Sequence, residues 1–174
     1  MSAVTLAQLL AIMPLARSRA AAFLAPLNAA MLEFEITTPA RAASFLSQVG
    51  HESGQLLYVR ELASGQAYES RADLGNTQRG DGVRFRGRGL LQVTGRTNYA
   101  ACGKALGLDL LAKPELLEQT VNACRSAGWF WQTKGLNALA DAGDQVKVTR
   151  RINGGTNGLA ERLALFAVAQ RVLA

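Results

Sequence analysis

Helical periodicity fills both ends of this chain and fails in the middle. Residues 64 to 89, "SGQAYESRADLGNTQRGDGVRFRGRG", are rich in Gly, Asp, Asn and Arg with no sustained apolar recurrence at helical spacing, which predicts loop and short strand. Before them, Leu6, Leu9, Leu10 and Met13 mark a short helix that Pro14 ends. A second helix is expected over 18 to 34, where Phe23, Leu24, Leu27, Met31 and Phe34 recur and Pro26 predicts a kink or an interruption. In "ITTPARAASFLSQVGHESG", Thr38 suits the N-cap, Pro39 suits the first helical position, and Ala42, Phe45, Leu46 and Val49 form one stripe. After Arg96, helices are expected over 97–106, 114–133, 136–142, 144–151 and 158–173, the long one turning Leu117, Val121, Cys124, Gly128 and Trp131 inward. Helices flanking one irregular segment predict a single mainly α domain over residues 1–174, two-lobed, with a small irregular or β segment.

With 49% hydrophobic and 18% charged residues, the chain lies outside the disordered class. Its 19 Lys and Arg against 13 Asp and Glu leave a formal charge of +6, which favours an anionic partner: nucleic acid, a membrane surface or an acidic wall polymer. No run of 18 apolar residues occurs, so stable membrane insertion is not expected. The N-terminus lacks the basic start of a secretory signal, which predicts synthesis in the cytoplasm. Cys102 and Cys124 are then expected as two buried free thiols, although one bridge would contribute roughly 3 kcal/mol in the chain-entropy picture.

The apolar stripe of "FLSQVGHESG" ends on His51 and Glu52. Glu52 follows Phe45 by seven residues and so returns to the buried face, where a carboxylate loses water and its charged form is disfavoured. A zinc protease motif would need a second histidine at position 55, which is Gln; His51 is the only histidine, and only two cysteines accompany it. No metal is expected. No serine sits in a nucleophile elbow, so a Ser-His-acid triad is disfavoured as well.

Paired carboxylates remain. Glu61 follows Glu52 by nine residues, and on one continuous helix the two would face apart, separated by about 13.5 Å along the axis. Gly54 offers a stop. Beyond it Leu57, Val59 and Glu61 alternate as in a strand, so that Glu61 can face Glu52 across a gap with Arg60 nearby. Such a pair fits glycoside hydrolysis, while spacing alone favours two solvent-facing glutamates, one at a helix end and one on the surface. "RFRGRGLLQVTGRTNY", residues 84 to 99, leaves a basic strand, a nucleic-acid patch and a sugar-cleft wall all open. On a short strand Gln92 and Thr94 would point the same way, with Asn98 beyond them. Phe85 and Tyr99 are the only aromatics there, sparse for an RNA surface.

Three blocks, "GHESG", "FRGRGLLQVTGRTNY" and "RINGGTNGLAERL", together resemble glycoside hydrolase family 19, the plant-type chitinases and many phage and bacterial endolysins. The resemblance implies a lysozyme-like fold and an inverting mechanism without cofactor. It makes Glu52 the general acid, Glu61 the base that activates water and Thr94 the hydroxyl that helps hold that water. Gln92 and Asn98 would bind sugar, Asn153 matches the family's Asn-Gly-Gly loop, Arg162 would reach the catalytic centre, His51 would orient neighbours or touch substrate, and Tyr68 would line the cleft. Plant members separate the two glutamates further, carry several disulfides and have a cleft tyrosine where Thr97 stands here. The compact form looks closer to the endolysins. The expected partner is therefore a peptidoglycan or chitin-like glycan, peptidoglycan before chitin, met by a monomer that binds no nucleic acid. It would act on the cell wall, in the periplasm, after release with a separate membrane-permeabilising factor. The contrasting class is a basic module that binds wall glycan or nucleic acid and releases no sugar.

Overall fold

The computed structural model describes residues 2–174. Its helices are α1 (Leu6–Ile12), α2 (Ala20–Glu33), α3 (Pro39–Glu52), the single turn α4 (Asp81–Arg84), α5 (Arg96–Leu106), α6 (Thr120–Thr133), α7 (Leu136–Asp141), α8 (Gln145–Asn153) and α9 (Leu159–Leu173). The local signals at the first helix ends hold. The Thr5 and Gln8 side chains form a capping box at α1, and Thr38 Oγ1 accepts from Arg41 N at 3.2 Å at the start of α3.

Packing follows the apolar stripes. Helix α3 lies chiefly along α9, α2 along α6, and α1 against both α9 and α2. Phe45 of α3 and Trp131 of α6, both fully buried, meet edge to face with ring centroids 5.3 Å apart. The segment between α3 and α5 has two short 3-10 turns, at Gln66–Tyr68 and Ala72–Leu74, besides α4. It packs beside the helical body and carries one side of the cleft described below.

Four expectations from the sequence change. Helix α2 continues through Pro26, because Phe23, Leu27, Ala30 and Met31 are buried on either side of it and their packing outweighs one absent hydrogen bond. The long helix expected over 114–133 is broken: Pro114–Glu118 is a 3-10 turn, Gln119 is extended, and Asn122 Nδ2 ties the break by donating to Leu116 O at 3.0 Å. Val121, expected inside, lies just after that break and is exposed. The strands expected near 57–61 and 92–94 do not form. Among the described residues this region shows only the isolated bridges Arg60 to Arg88 and Arg88 to Val93, since Gln92 has a positive φ of 52° that no strand accommodates.

Cys102 and Cys124 are buried free thiols, and burial pushes each up to about 12. Among the described residues no helix is long and apolar enough to cross a membrane. Close approach of α2 to α6 depends on Gly128, where an added Cβ would fall 2.2 Å from Phe34 Cδ2. Gly128→Ala should therefore destabilise the fold by about 1–3 kcal/mol, read as a lower midpoint in urea unfolding with an unchanged slope; an unshifted midpoint would mean that the two helices can part freely.

Candidate active site

Helix α3 delivers Glu52 at its last turn, and α9 delivers Arg162 in its first. Arg162 is 2% exposed. A cation removed from water needs a full set of acceptors, and it finds Glu52 Oε1, Gln48 Oε1 and, at 3.2 Å, the carbonyl of Asn157. Gln48, itself fully buried one turn before Glu52, also donates to Thr149 Oγ1 of α8 at 3.4 Å. The preceding residue repeats the pairing: His51 Nδ1 lies 2.7 Å from Glu161 Oε2. Consecutive residues of α3 thus meet consecutive residues of α9. Room for His51 comes from Gly158, which has φ +70° and where a Cβ would lie 2.1 Å from His51 Cε1. The apolar wall expected around Glu52 is replaced by this polar one, with the Glu52 side chain 21% exposed. Seven residues of helix do bring it back to the Phe45 face, but at the helix end that face meets Arg162 rather than core.

Glu61 is held differently. It leaves the helical body after Gly54, which has φ +56° and follows the Ser53 cap of α3. Its backbone N–H donates to Gly87 O at 3.0 Å, and its Oε1 accepts from Gly87 N at 2.9 Å. Its Oε2 accepts from the Tyr68 hydroxyl at 2.9 Å. A Cβ at Gly87 would lie 2.3 Å from Gln92 Oε1 and 3.3 Å from Thr94 Oγ1, so a larger residue there would displace the Gln92 side chain from its present place in the cleft. Gln92, in a left-handed turn rather than a strand, donates from Nε2 to Gly89 O at 3.2 Å, and Asn98 Nδ2 donates to Thr94 O at 2.7 Å.

Glu52 and Glu61 open onto one cleft of about 350 Å³, which Tyr68, Gln92 and Thr94 also line. Gln92 and Thr94 continue into a second hollow with Asn98, Trp129, Phe130 and Lys134. Of the residues singled out from sequence, Glu52, Glu61, Tyr68, Gln92 and Thr94 come together and Asn98 extends the line. His51 and Arg162 stand behind Glu52. Asn153 does not line the cleft: its Nδ2 donates to Asn157 O at 2.9 Å and its Oδ1 accepts from Gly155 N at 2.8 Å, so it ties the α8–α9 loop whose Asn157 carbonyl also receives Arg162. Sequence reasoning missed Tyr58, Gln48 and Glu161. Gln48 had a signal, a polar residue four before Glu52 within a buried stripe; Tyr58 and Glu161 had none. A separate hollow of about 280 Å³ on another face, lined by Asn28, Met31, Leu32 and Ile36 among others, includes no ionisable side chain. Among the described residues no three of His, Cys, Asp and Glu gather as a metal site.

Residues 21–173 match the family model described as chitinase class I of glycoside hydrolase family 19. The chain belongs to glycoside hydrolase family 19. A Haemophilus influenzae protein containing a glycosyl hydrolase family 19 domain is 35% identical over 156 residues, covering 71% of this chain and 76% of its own. An Arabidopsis thaliana endochitinase is 40% identical over 114 residues, which are 65% of this chain and 39% of its own. The chain thus spans well under half the length of that plant relative. Chitinase C from Streptomyces griseus superposes with a TM-score of 0.79 at 26% identity, over 98% of this chain and 92% of its own. A further bacterial family 19 chitinase gives a TM-score of 0.80 at 26% identity, over 98% and 95%. The mainly helical lysozyme-like architecture expected from the sequence is the family 19 fold, and the protein is a glycoside hydrolase.

Burial and the hydrogen bond to Glu61 raise the Tyr68 phenol above its ordinary value. The stability linked to it is complete below the unfolded value near 10 and is lost as pH rises through the folded one. Glu61→Gln should move this ionisation back toward the ordinary range, read as phenolate absorbance against pH; identical titrations would show that the two side chains are not bonded in solution.

Proposed function

We propose that this family 19 hydrolase cleaves β-1,4 bonds of peptidoglycan glycan strands with inversion, as an endolysin acting on the bacterial wall. The observation that carries the reading is the meeting of Glu52 and Glu61 in one open cleft, each held by a separate set of partners. Glu52 protonates the leaving oxygen. Glu61, whose oxygens are oriented by Tyr68 and the Gly87 amide, takes a proton from water on the opposite face of the sugar. Thr94 holds that water, and Gln92 and Asn98 bind sugar hydroxyl and acetamido groups along the same wall. Arg162 fixes the Glu52 carboxyl, and His51 keeps α3 and α9 in register through Glu161. Inversion requires the carboxyls to stand about 6.5–9.5 Å apart so that a water fits between base and sugar.

Charge supports peptidoglycan over neutral chitin: the chain carries +6, Arg60 lines the cleft and Lys134 lines its extension. Chitin is the second reading, favoured by the endochitinase relatives. Action on the wall follows release from the cytoplasm, with a separate factor opening the membrane. The protein works as a monomer and needs no cofactor.

Glu52→Gln should lower the release of reducing ends from purified peptidoglycan roughly a hundred- to ten-thousand-fold with an unchanged circular dichroism spectrum; near-normal activity rejects the acid role. Proton NMR of a fresh digest should show the inverted anomer first, whereas a retained product would make Glu61 a nucleophile. Turnover on peptidoglycan should also fall as salt rises past about 0.15 M, where the screening length is about 8 Å; salt-independent turnover removes charge as the reason for preferring this polymer.

A further inference from the structure

Beside the catalytic cleft, and sharing Tyr58, Arg60, Glu61 and Leu62 with it, lies a second hollow of about 300 Å³ that adds Arg86 and Glu118. Its acidic groups are already engaged. Glu118 Oε1 accepts from the buried Arg88 Nε at 2.7 Å, and Glu118 Oε2 meets Arg60 Nη1 only at 3.5 Å. Both Glu61 oxygens are taken by the Gly87 amide and the Tyr68 hydroxyl. Two guanidinium groups, of Arg60 and Arg86, therefore share the hollow with two carboxylates whose strongest bonds go to other groups, Glu118 to Arg88 and Glu61 to the Gly87 amide and Tyr68. Arg86 has no ion pair among the described residues, and its Nε is buried without a hydrogen-bond partner there. That buried Nε is closed to a ligand, but no hydrogen bond or ion pair to the described residues engages the rest of the Arg86 guanidinium either, so its outer nitrogens are the donors left to meet an acceptor in the hollow.

The rim of the hollow is apolar. Leu57 is 50% exposed and Leu62 83% exposed, in a place where a neutral, unbranched glycan would offer them little to cover. A substituent carrying both a carboxylate and small methyl groups matches the two halves of this surface. The peptide branch of peptidoglycan, which leaves the sugar through a lactyl ether and continues with alanine and acidic residues, has both; chitin offers acetamido methyl groups but no carboxylate.

We infer that Arg86, assisted by Arg60, reads a carboxylate on the peptide branch of peptidoglycan in the hollow next to Glu61. The inference rests on the peptidoglycan reading and names what would set this substrate apart from chitin. A planar guanidinium with free donors suits a carboxylate better than an ammonium does.

The test compares the wild-type protein with Arg86→Gln and Arg86→Lys on peptidoglycan, on peptidoglycan whose carboxylates have been amidated, and on chitohexaose. Arg86→Gln should lower kcat/KM on native peptidoglycan by about tenfold more than on chitohexaose, through KM, with Arg86→Lys recovering part of the loss. Amidation should bring the wild-type rate down to that of Arg86→Gln and leave the variant's own rate little changed. Equal losses on both glycans, or equal sensitivity of wild type and variant to amidation, would overturn the inference by making Arg86 part of the cleft's framework. Cleavage of chitohexaose without cleavage of peptidoglycan would instead remove the proposed substrate. In that case NMR titration with muramyl dipeptide decides the hollow separately: binding lost in Arg86→Gln supports carboxylate recognition there, and absence of binding to the wild type ends it.

Discussion

A guanidinium taken out of water has to be surrounded by acceptors or the fold will not keep it, and Arg162, 2% exposed, sets that demand at the junction of α3 and α9. Its acceptors come from three places: a carboxylate at the end of α3, an amide one turn earlier, and a loop carbonyl before α9. Satisfying all three leaves little freedom in how the two helices cross or where the α8–α9 loop passes. The adjacent pair His51 and Glu161 repeats the constraint one residue along. Glu52, the proposed general acid, is thus fixed by the same contacts that join the two helices. A buried ion pair of this kind contributes little net stability compared with apolar packing, but removing one partner alone is costly.

The opposite wall of the cleft has only the single turn α4 and two 3-10 turns of helix and relies largely on polar contacts. Fully buried Asn76 accepts from Arg96 N at 2.9 Å and donates to Tyr68 O at 2.8 Å, joining the start of α5 to the residue that holds Glu61. Asp81, 1% exposed, receives two bonds from Arg96, and that guanidinium holds its carboxyl below the usual carboxylate range. The stability linked to Asp81 is present above its unfolded value near 3.9 and is lost as pH falls through the folded one. Glu69 accepts from the amides of Gly80 and Gly82 at 2.7 and 2.8 Å, drawing α4 against the turn that carries Tyr68. Ordering a segment with so little regular structure costs backbone entropy, and here bonds made by the Asn76, Asp81 and Glu69 side chains hold it in place of a helix ladder.

Several parts of this arrangement could be read from the residues in order. The return of Glu52 to the Phe45 face follows from seven residues of helix, Thr38 and Pro39 start α3 as their chemistry predicts, and the two cysteines are buried thiols. The three sequence blocks pointed to the family, and two of them contain Glu52, Gln92 and Thr94, which line one cleft together with Glu61 and Tyr68 from outside the blocks. What failed did so for identifiable reasons. Pro26 pointed to a kink or an interruption, and no interruption forms because its neighbours on either side are buried. The alternation at 57–61 resembled a strand, but a strand needs a partner along its length, and Arg88 offers only a single bridge. Asn153 matched a motif by type, and its side chain bonds within its own loop.

By itself the sequence determined the helical class, because apolar spacing is a property of consecutive residues, and it determined which side chains had acid, hydroxyl or amide chemistry to offer. It also marked Gly87 and Gly158 as places without a side chain. Only the tertiary structure decided what those places were for: Gly87 lets the Gln92 and Thr94 side chains close over the backbone that binds Glu61, and Gly158 admits the His51 ring. It alone set a cation, rather than apolar core, against Glu52, and left Arg86 with a buried donor unmatched. Contacts between residues about 110 positions apart, such as Glu52 with Arg162, depend on how helices stack, and neither local propensity nor periodicity contains that information.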